Sequence, residues 1–184
     1  MPGHGDDAAD EADRIDRIDQ VQAAWRAELP DVDVSSIGVV GRAVELMHWL
    51  DRARAGALAG LDSDRATFDL LATLRRTGRP YELTVGELQR LSLVTTGAVS
   101  QRVERAERAG LVRRRPVPGD ARRVVVGLTP AGITAAAEQL GAVLAAERAV
   151  LAPLSAGQRR DLEELLRAWA LGYGAAEAVG PPAG

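Results

Sequence analysis

The sequence predicts a mainly helical protein that contains one small β-hairpin. Apolar residues recur at helical spacing over most of the 184 residues, and Thr, Ser or Asp stands before several of these segments. Between residues 111 and 128 the pattern changes to two short runs of β-type residues. The length favours a single domain, and a chain that is 46% hydrophobic and 27% charged has enough apolar side chains to bury a core.

Two helices are predicted in the N-terminal part of the chain. The first ends before Leu29-Pro30, because a residue that precedes proline disfavours the helical conformation. Its side chains recur at helical spacing at Ile15, Ile18, Val21, Gln22 and Trp25. The second, over residues 37–58, is predicted to be a core helix with Ser36 as its cap, and its apolar side chains are Val40, Val44, Leu46, Met47 and Leu50.

Three further helices are predicted before the β-type runs. Asp62 or Ser63 can cap the first of them, which stops at the Gly78-Arg79-Pro80 segment. Two short helices follow, over residues 84–91 and 95–109, and each opens with Thr at a capping position.

A β-hairpin is predicted after Gly110, which ends the second short helix. Its strands are residues 111–117 and 122–128, and Pro118-Gly119-Asp120 joins them as a turn. Two short helices followed by a basic hairpin make a winged helix-turn-helix. In this architecture the second helix, the recognition helix, enters the major groove of DNA, and the hairpin, called the wing, reaches the adjacent backbone or minor groove.

Two more helices are predicted after the wing. Thr129 can cap the first of them, and Pro130 suits the first helical position of an Ala-rich segment that continues to about residue 151. The last helix begins at Ser155 and carries Leu162, Leu165, Leu166, Trp169 and Leu171. The terminal helices are rich in Ala and Leu, and a monomer would expose their apolar stripes.

The charge of the chain is divided unevenly along its length. The formal net charge is −3, and since there is no Lys, all 23 basic residues are Arg. Residues 1–33 hold ten acidic residues against three Arg, whereas residues 75–123 hold twelve Arg against five acidic residues, a net of +7. A basic segment inside an acidic chain suggests a surface that binds a polyanion, although an Arg-rich face in contact with solvent alone gives the same count.

Several functional classes are excluded by what the sequence lacks. It has no Cys, which excludes disulfides, thiolate catalysis and Cys-ligated metals, and with two distant His we expect no metal site. No glycine-rich loop stands between a strand and a helix, and no nucleophile, base and orienting group can be placed together, so we expect neither an enzyme nor a cofactor. No apolar run is long enough to cross a bilayer and the first residues are acidic, so the protein is expected to be cytoplasmic and not to contact a membrane.

The recognition helix and the wing supply the candidate DNA contacts. The N-terminal end of the recognition helix, where base edges are read, carries short hydroxyl and amide groups, while Leu93, Val94, Val99 and Val103 can pack inward. The Thr and Ser residues can equally be caps, and acid partners can relieve the crowded wing arginines as well as a polyanion can. The candidate contacts are Thr95, Thr96, Ser100, Gln101, Arg105, Arg113, Arg115, Arg122 and Arg123.

The segments 83–90, 95–114 and 118–132 resemble the MarR family of bacterial transcription regulators. The most specific part of the match is the wing signature Asp-X-Arg followed by Leu-Thr-X-X-Gly, formed here by Asp120, Arg122, Leu128, Thr129 and Gly132. The resemblance covers about residues 37–173, and residues 25–33 and 68–84 look like the PecS and urate-responsive (HucR-like) branch.

The resemblance implies a homodimeric repressor that a small ligand releases from a palindromic operator on double-stranded DNA. Residues 1–13 would be a disordered acidic arm and residues 14–184 a single domain. Within this domain, residues 14–60 and 130–175 would form the dimerisation helices and residues 61–129 the winged helix-turn-helix.

The same branch implies a sensing set for urate or a related phenolic or purine anion. Its members fall on Trp25, Asp69, Arg102 and Arg114 in this sequence. An indole can stack on a planar heterocycle and a guanidinium can bind its anionic edge. Each residue also has a simpler interpretation: Trp25 as a dimer anchor, Asp69 as a surface or capping acid, and the two arginines as phosphate contacts. The alternative for the whole protein is a winged-helix module that associates with proteins and does not bind DNA.

Overall fold

The computed structural model describes residues 15–92, 96–117 and 120–179, and for residues 92, 96, 117, 120–123 and 175–179 it describes the backbone alone. The helices are α1 (Arg17–Glu28), α2 (Ser35–Ala59), α3 (Arg65–Arg76), α4 (Val85–Ser92), α5 (Thr96–Arg108), α6 (Pro130–Val150) and α7 (Ala156–Val179). The strands are β1 (Glu82–Thr84), β2 (Val112–Val117) and β3 (Asp120–Leu128). The predicted mainly helical fold with a wing is confirmed.

The chain forms two compact units, Met1–Arg52 and Ala53–Gly184. In the first unit, Asp16 caps α1 in a capping box with Asp19, and both carboxylates bind Arg42 of α2, each with one oxygen 2.7 Å from a guanidinium nitrogen. Gln22 is buried and its side-chain amide donates a 2.9 Å hydrogen bond to the carbonyl of Val34. The grouping of residues 14–184 into one domain stays a prediction.

The core of the second unit joins α3, α4, α5, the sheet and α6. Its largest fully buried side chains include Leu71 and Leu74 of α3, Leu88 of α4, Val103 of α5 and Val126 of β3. Burial of each such side chain contributes about 1.5–3 kcal/mol to the free energy of unfolding. The two helices of the helix-turn-helix and the wing therefore share one core.

The sheet has three strands, whereas the sequence predicted two. β1 pairs antiparallel with β3, which lies between β1 and β2. Three residues are too few to show an alternating pattern, so nothing local marked Glu82–Thr84 as a strand. Asp120, predicted to be a turn residue, begins β3 opposite Val117, and residues 118–119 of the predicted turn lie outside the described residues.

A tight junction holds the start of α6 against the end of α5 and the start of β2. Thr129 caps α6, because its hydroxyl accepts a hydrogen bond from the Gly132 N–H and donates one to the carbonyl of Gly110. The Thr129 N–H donates to the carbonyl of Leu111 at 3.0 Å. A Cβ at position 132 would lie only 1.9 Å from that carbonyl oxygen, so glycine is required there.

The predicted caps are confirmed at two helices and wrong at two others. Thr84 and Glu87 form reciprocal hydrogen bonds at the start of α4, and Thr129 caps α6 as predicted. The cap of α3 is Asp64 and not Asp62 or Ser63, because Asp62 is still in the preceding turn with a φ of 51°. The predicted Ser36 cap lies inside α2, which begins at Ser35.

The prediction that residues 37–58 form a core helix is wrong for the single chain. Leu58 is the buried residue of α2, while Val40, Val44, Leu46 and Met47 are 47%, 67%, 52% and 49% exposed. The helical periodicity is present, but about half or more of each of these side chains is exposed in the single chain.

The wing is fastened to the recognition helix α5 by an ion pair. The guanidinium of Arg114 on β2 binds Glu107 of α5 at 2.5 Å, and the Arg114 N–H donates to the same carboxylate at 3.0 Å. The hydrogen bonds from Arg114 lower the pKa of Glu107 below its usual range, and Glu107 raises the pKa of Arg114.

In the part of the chain that the structure describes, none of the helices could span a membrane.

We predict that replacing Gly132 with Ala destabilises the protein strongly, because the added methyl group would collide with the Leu111 carbonyl. The expected loss in free energy of unfolding is about 3 kcal/mol, at the upper end for overpacking. Gly141→Ala in the same helix, where a Cβ meets nothing within 4 Å, is the control and should gain about 0.5–1 kcal/mol. Urea denaturation measures both, and equal stabilities would contradict the close approach.

We also predict an acid-sensitive contribution of Glu107 to stability. Because its pKa is lower in the folded chain, the contribution is complete above the ordinary value of 4.5 and disappears as the pH falls through the lower folded-state pKa. Glu107→Gln and Arg114→Gln should each lose less free energy of unfolding than the wild type on acidification from about pH 5 to pH 2. Denaturant titrations at each pH test this, and three parallel curves would show the prediction to be wrong.

Candidate nucleic-acid interface

Helix α5 has one face in the core and one face in solvent. Val99, Val103 and Ala106 are buried at spacings of four and three residues. Ser100 and Gln101 are exposed on the other side. The prediction that Val99 and Val103 pack inward is confirmed, whereas Leu93, Val94 and Thr95 lie outside the described residues, as does the side chain of Thr96.

Arginine side chains line a shallow depression on the exposed face of α5. The depression has a volume of about 400 Å³ and is open to solvent. It is lined by Ala66 of α3 and by Ala98, Gln101, Arg102, Glu104, Arg105 and Arg108 of α5. Arg102, Arg105 and Arg108 place three guanidinium groups on successive turns of the same helix, and guanidinium groups can bind phosphate.

Asp64 joins α3 to the recognition helix. Its carboxylate accepts a 2.8 Å hydrogen bond from the Thr67 N–H at the start of α3, and its two oxygens lie 2.7 and 3.2 Å from nitrogens of Arg105. Partial burial raises the pKa of Asp64, but the hydrogen bonds from Thr67 and the charge of Arg105 outweigh it and leave the pKa lowered. The Arg105 side chain is therefore paired with Asp64 on the exposed face.

Asp69 lies beside a second arginine of α5 and lines a separate cavity. Its carboxylate is 3.9 Å from the guanidinium of Arg102 and 4.0 Å from that of Arg65. The cavity has a volume of about 530 Å³ and is lined by apolar side chains of α3, α4 and α6 and by the charged residues Asp69, Arg75 and Arg76. Such a mixture suits a small molecule that has both an aromatic ring and a negative charge.

Two members of the sequence-predicted sensing set are thus close together, namely Asp69 and Arg102. Arg114 instead binds Glu107, as described above. Trp25 belongs to the first unit and is 46% exposed.

A second carboxylate that binds arginines of the wing, besides Glu107, is Glu82 on β1. It forms two hydrogen bonds with Arg115 and lies 3.7 Å from Arg113. Along β2 the side chains alternate between faces, so Arg113 and Arg115 point to Glu82 while Arg114 points to α5. The side chains of Arg122 and Arg123, the other predicted wing contacts, lie outside the described residues.

The carboxylates Asp64, Glu82 and Glu107 are the site residues that sequence reasoning missed. The sequence indicated that acid partners could relieve the crowded arginines, but it did not say which acids. Each partner is 7 to 41 residues away from its arginine in the chain, so helical or strand spacing does not predict the pairs. The one local signal is the position of Asp64 before a helical segment, where an acidic cap is favoured.

Comparisons with known proteins agree with this arrangement. A family model described as the MarR family matches residues 61–123. The HTH-type transcriptional regulator PecS of Dickeya dadantii (strain 3937) is 32% identical over 142 residues, which are 77% of this chain and 86% of PecS.

Two solved structures of MarR from E. coli have the same fold. Wild-type MarR in its apo form is 29% identical with a TM-score of 0.61, over 69% of this chain and 93% of MarR. A mutant MarR complexed with operator DNA is 26% identical with a TM-score of 0.60, over 78% of this chain and 95% of that one. The chain therefore belongs to the MarR family of DNA-binding transcriptional regulators and is not an enzyme.

Proposed function

We propose that the protein is a homodimeric repressor that binds a palindromic operator through α5 and the wing. The observation that carries this proposal is the exposed face of α5, where Ser100, Gln101 and Arg105 stand opposite the buried Val99 and Val103. Hydroxyl, amide and guanidinium groups on one helical face can read base edges in a major groove. A mutant MarR with the same fold has been solved in complex with operator DNA, which supports the binding of operator DNA by this chain.

Exposed apolar side chains support the homodimer. On α2, Val44 is 67% exposed, and on α7, Leu165, Leu171 and Tyr173 are 70%, 69% and 63% exposed. A monomer would leave these surfaces in water, at a cost of about 25 cal/mol for each Å² of apolar area. A second copy can cover them with the same surfaces, as in a twofold-symmetric dimer. Such a dimer would present two copies of α5 to a palindrome.

Thr95, Thr96, Arg122 and Arg123 stay predicted DNA contacts. The competing hypothesis, a winged-helix module that associates with proteins only, does not require an arginine-rich face on α5. It also gives no reason for a salt-dependent affinity for duplex DNA.

We predict that Arg105→Gln weakens operator binding about tenfold. A plot of log K against log salt concentration should also have a slope that is smaller in magnitude by about one. The physical reason is the loss of one cation from the face that contacts DNA. Arg167→Gln, which removes an arginine of equal charge paired with Glu163 on α7, is the matched control and should keep wild-type binding. Fluorescence anisotropy on the DNA upstream of the protein's own gene, at several salt concentrations, measures both slopes.

Absence of duplex binding by the wild type, or binding without salt dependence, would favour the protein-association hypothesis. If the wild type binds DNA and Arg105→Gln has the same salt slope, Arg105 does not contact DNA, and the rest of the proposed interface is unaffected.

We further propose that an aromatic anion such as urate releases the operator by competing with Asp69 for Arg102. Support comes from the 3.9 Å separation of these two groups and from the neighbouring cavity that holds Asp69, Arg75 and Arg76. An anion near Asp69 would repel its carboxylate and attract the guanidinium, and Arg102 would move with α5. The role of Trp25 as a stacking partner stays a prediction from the family resemblance, as does that of Arg114.

We predict that urate releases wild-type protein from a labelled operator and that Arg102→Gln requires at least tenfold more urate. A charge-assisted hydrogen bond to an anion contributes about 1.5–3 kcal/mol, and its loss accounts for this factor. Xanthine and salicylate, titrated in parallel, test a purine and a phenolic anion. Equal release of the wild type and of Arg102→Gln would contradict the sensing role of Arg102. If the wild type binds DNA and none of the three compounds releases it, aromatic anions of this class are not its effectors.

A further inference from the structure

One carboxylate reaches across the whole sheet to the arginines of the wing. In the register of the sheet, Glu82 on β1 stands opposite Gly127 on β3, and Gly127 stands opposite Arg113 on β2. The Glu82 side chain extends over β3 and binds Arg115 with both carboxylate oxygens, while one oxygen is 3.7 Å from Arg113. We call Glu82, Arg113 and Arg115 the wing clamp.

The wing clamp depends on glycine at position 127. A Cβ on residue 127 would lie 2.7 Å from Cγ and 3.0 Å from Oε1 of Glu82. Only a residue without a side chain leaves room for Glu82 to cross the middle strand. Glycine is therefore needed at position 127 for the space that it leaves between Glu82 and β2, and not for backbone freedom.

Burial makes the clamp difficult to open. The side chain of Glu82 is 11% exposed, whereas those of Arg113 and Arg115 are 63% and 45% exposed. If Arg115 turned away to a DNA phosphate, a nearly buried carboxylate would lose the guanidinium that binds both of its oxygens, and an incompletely compensated buried charge is unfavourable. A surface pair has no such penalty, because water replaces the lost partner.

We propose that Glu82 is a positioning residue that withholds Arg113 and Arg115 from DNA phosphates, so that the wing binds DNA with fewer cations than it contains. This proposal rests on the proposed binding of operator DNA. It also revises the prediction that Arg113 and Arg115 contact DNA. Since phosphate contacts do not distinguish sequences, the clamp lowers affinity for all duplexes and leaves the contacts of α5 to set specificity.

The experiment compares wild-type protein with Glu82→Gln on two duplexes of equal length, the DNA upstream of the protein's own gene and a scrambled version. The change keeps the shape of the side chain and removes the charge that holds both arginines. We expect the salt slope to steepen by about 0.9 for each freed arginine, and affinity for the scrambled duplex at 0.1 M salt to rise up to about tenfold for each. The ratio of specific to non-specific binding should fall.

Two further variants separate the clamp from other effects of the substitution. Glu163→Gln changes the net charge by the same amount in a surface pair on α7 and should keep the wild-type slope. Gly127→Ala keeps the net charge but displaces Glu82, and it should reproduce the steeper slope. A purely structural role for Glu82 would change the melting temperature of Glu82→Gln without changing either slope.

The outcomes are distinct. An unchanged slope in Glu82→Gln, or a shallower slope with weaker binding to both duplexes, overturns the proposal, because Glu82 would then be inert or would assist the arginines in binding DNA. Adding Arg113→Gln to Glu82→Gln should bring the slope back toward the wild-type value, whereas Arg113→Gln alone should leave it unchanged. If the wild type binds neither duplex, the proposed function fails, and thermal melting of Gly127→Ala still reports on the clamp itself.

Discussion

The junction between Thr129, Gly132 and Leu111 is the constraint on which the rest of the second compact unit depends. Here the end of α5, the start of β2 and the start of α6 meet, and the hydroxyl of Thr129 bonds two of these three elements. Because the backbone of α6 lies directly against the Leu111 carbonyl, a shift of α6 has to be shared by the recognition helix and the wing. Close-packed contacts of this kind transmit displacement and do not absorb it. The junction therefore couples the position of α6 to α5 and the wing, the proposed DNA-binding surface.

The second organising feature is the pairing of arginines with internal carboxylates. Asp64 holds Arg105, Glu107 holds Arg114, and Glu82 holds Arg115. A cluster of arginines repels itself, and these acids make the cluster compatible with a folded chain before any polyanion arrives. The net charge of +7 over residues 75–123 is consequently a poor count of the cations that are available to DNA. What matters is how easily each carboxylate can release its partner, which depends on how much water can reach it.

The apolar periodicity of the terminal helices has a different meaning from that of the helix-turn-helix. In α3, α4 and α5 the periodic residues are buried in one shared core, so the period and the burial agree. In α2 and α7 the same kind of period leaves large side chains exposed, among them Val44, Leu165 and Leu171. The period marks a surface that avoids water, but it does not say whether the same chain or another copy covers that surface. Prediction of a core helix over residues 37–58 failed for this reason.

The sequence by itself determined most helices, the wing and the caps at Thr84 and Thr129, because periodicity, capping residues and turn residues act between neighbours in the chain. It also determined the inward face of α5 and the basic character of residues 75–123. Only the tertiary structure decided that residues 82–84 form a third strand and that Asp64, Glu82 and Glu107 are the partners of the arginines. Strand register and the meeting of helices bring these groups together from distant parts of the chain. No local spacing encodes such a meeting, since it depends on how the shared core packs.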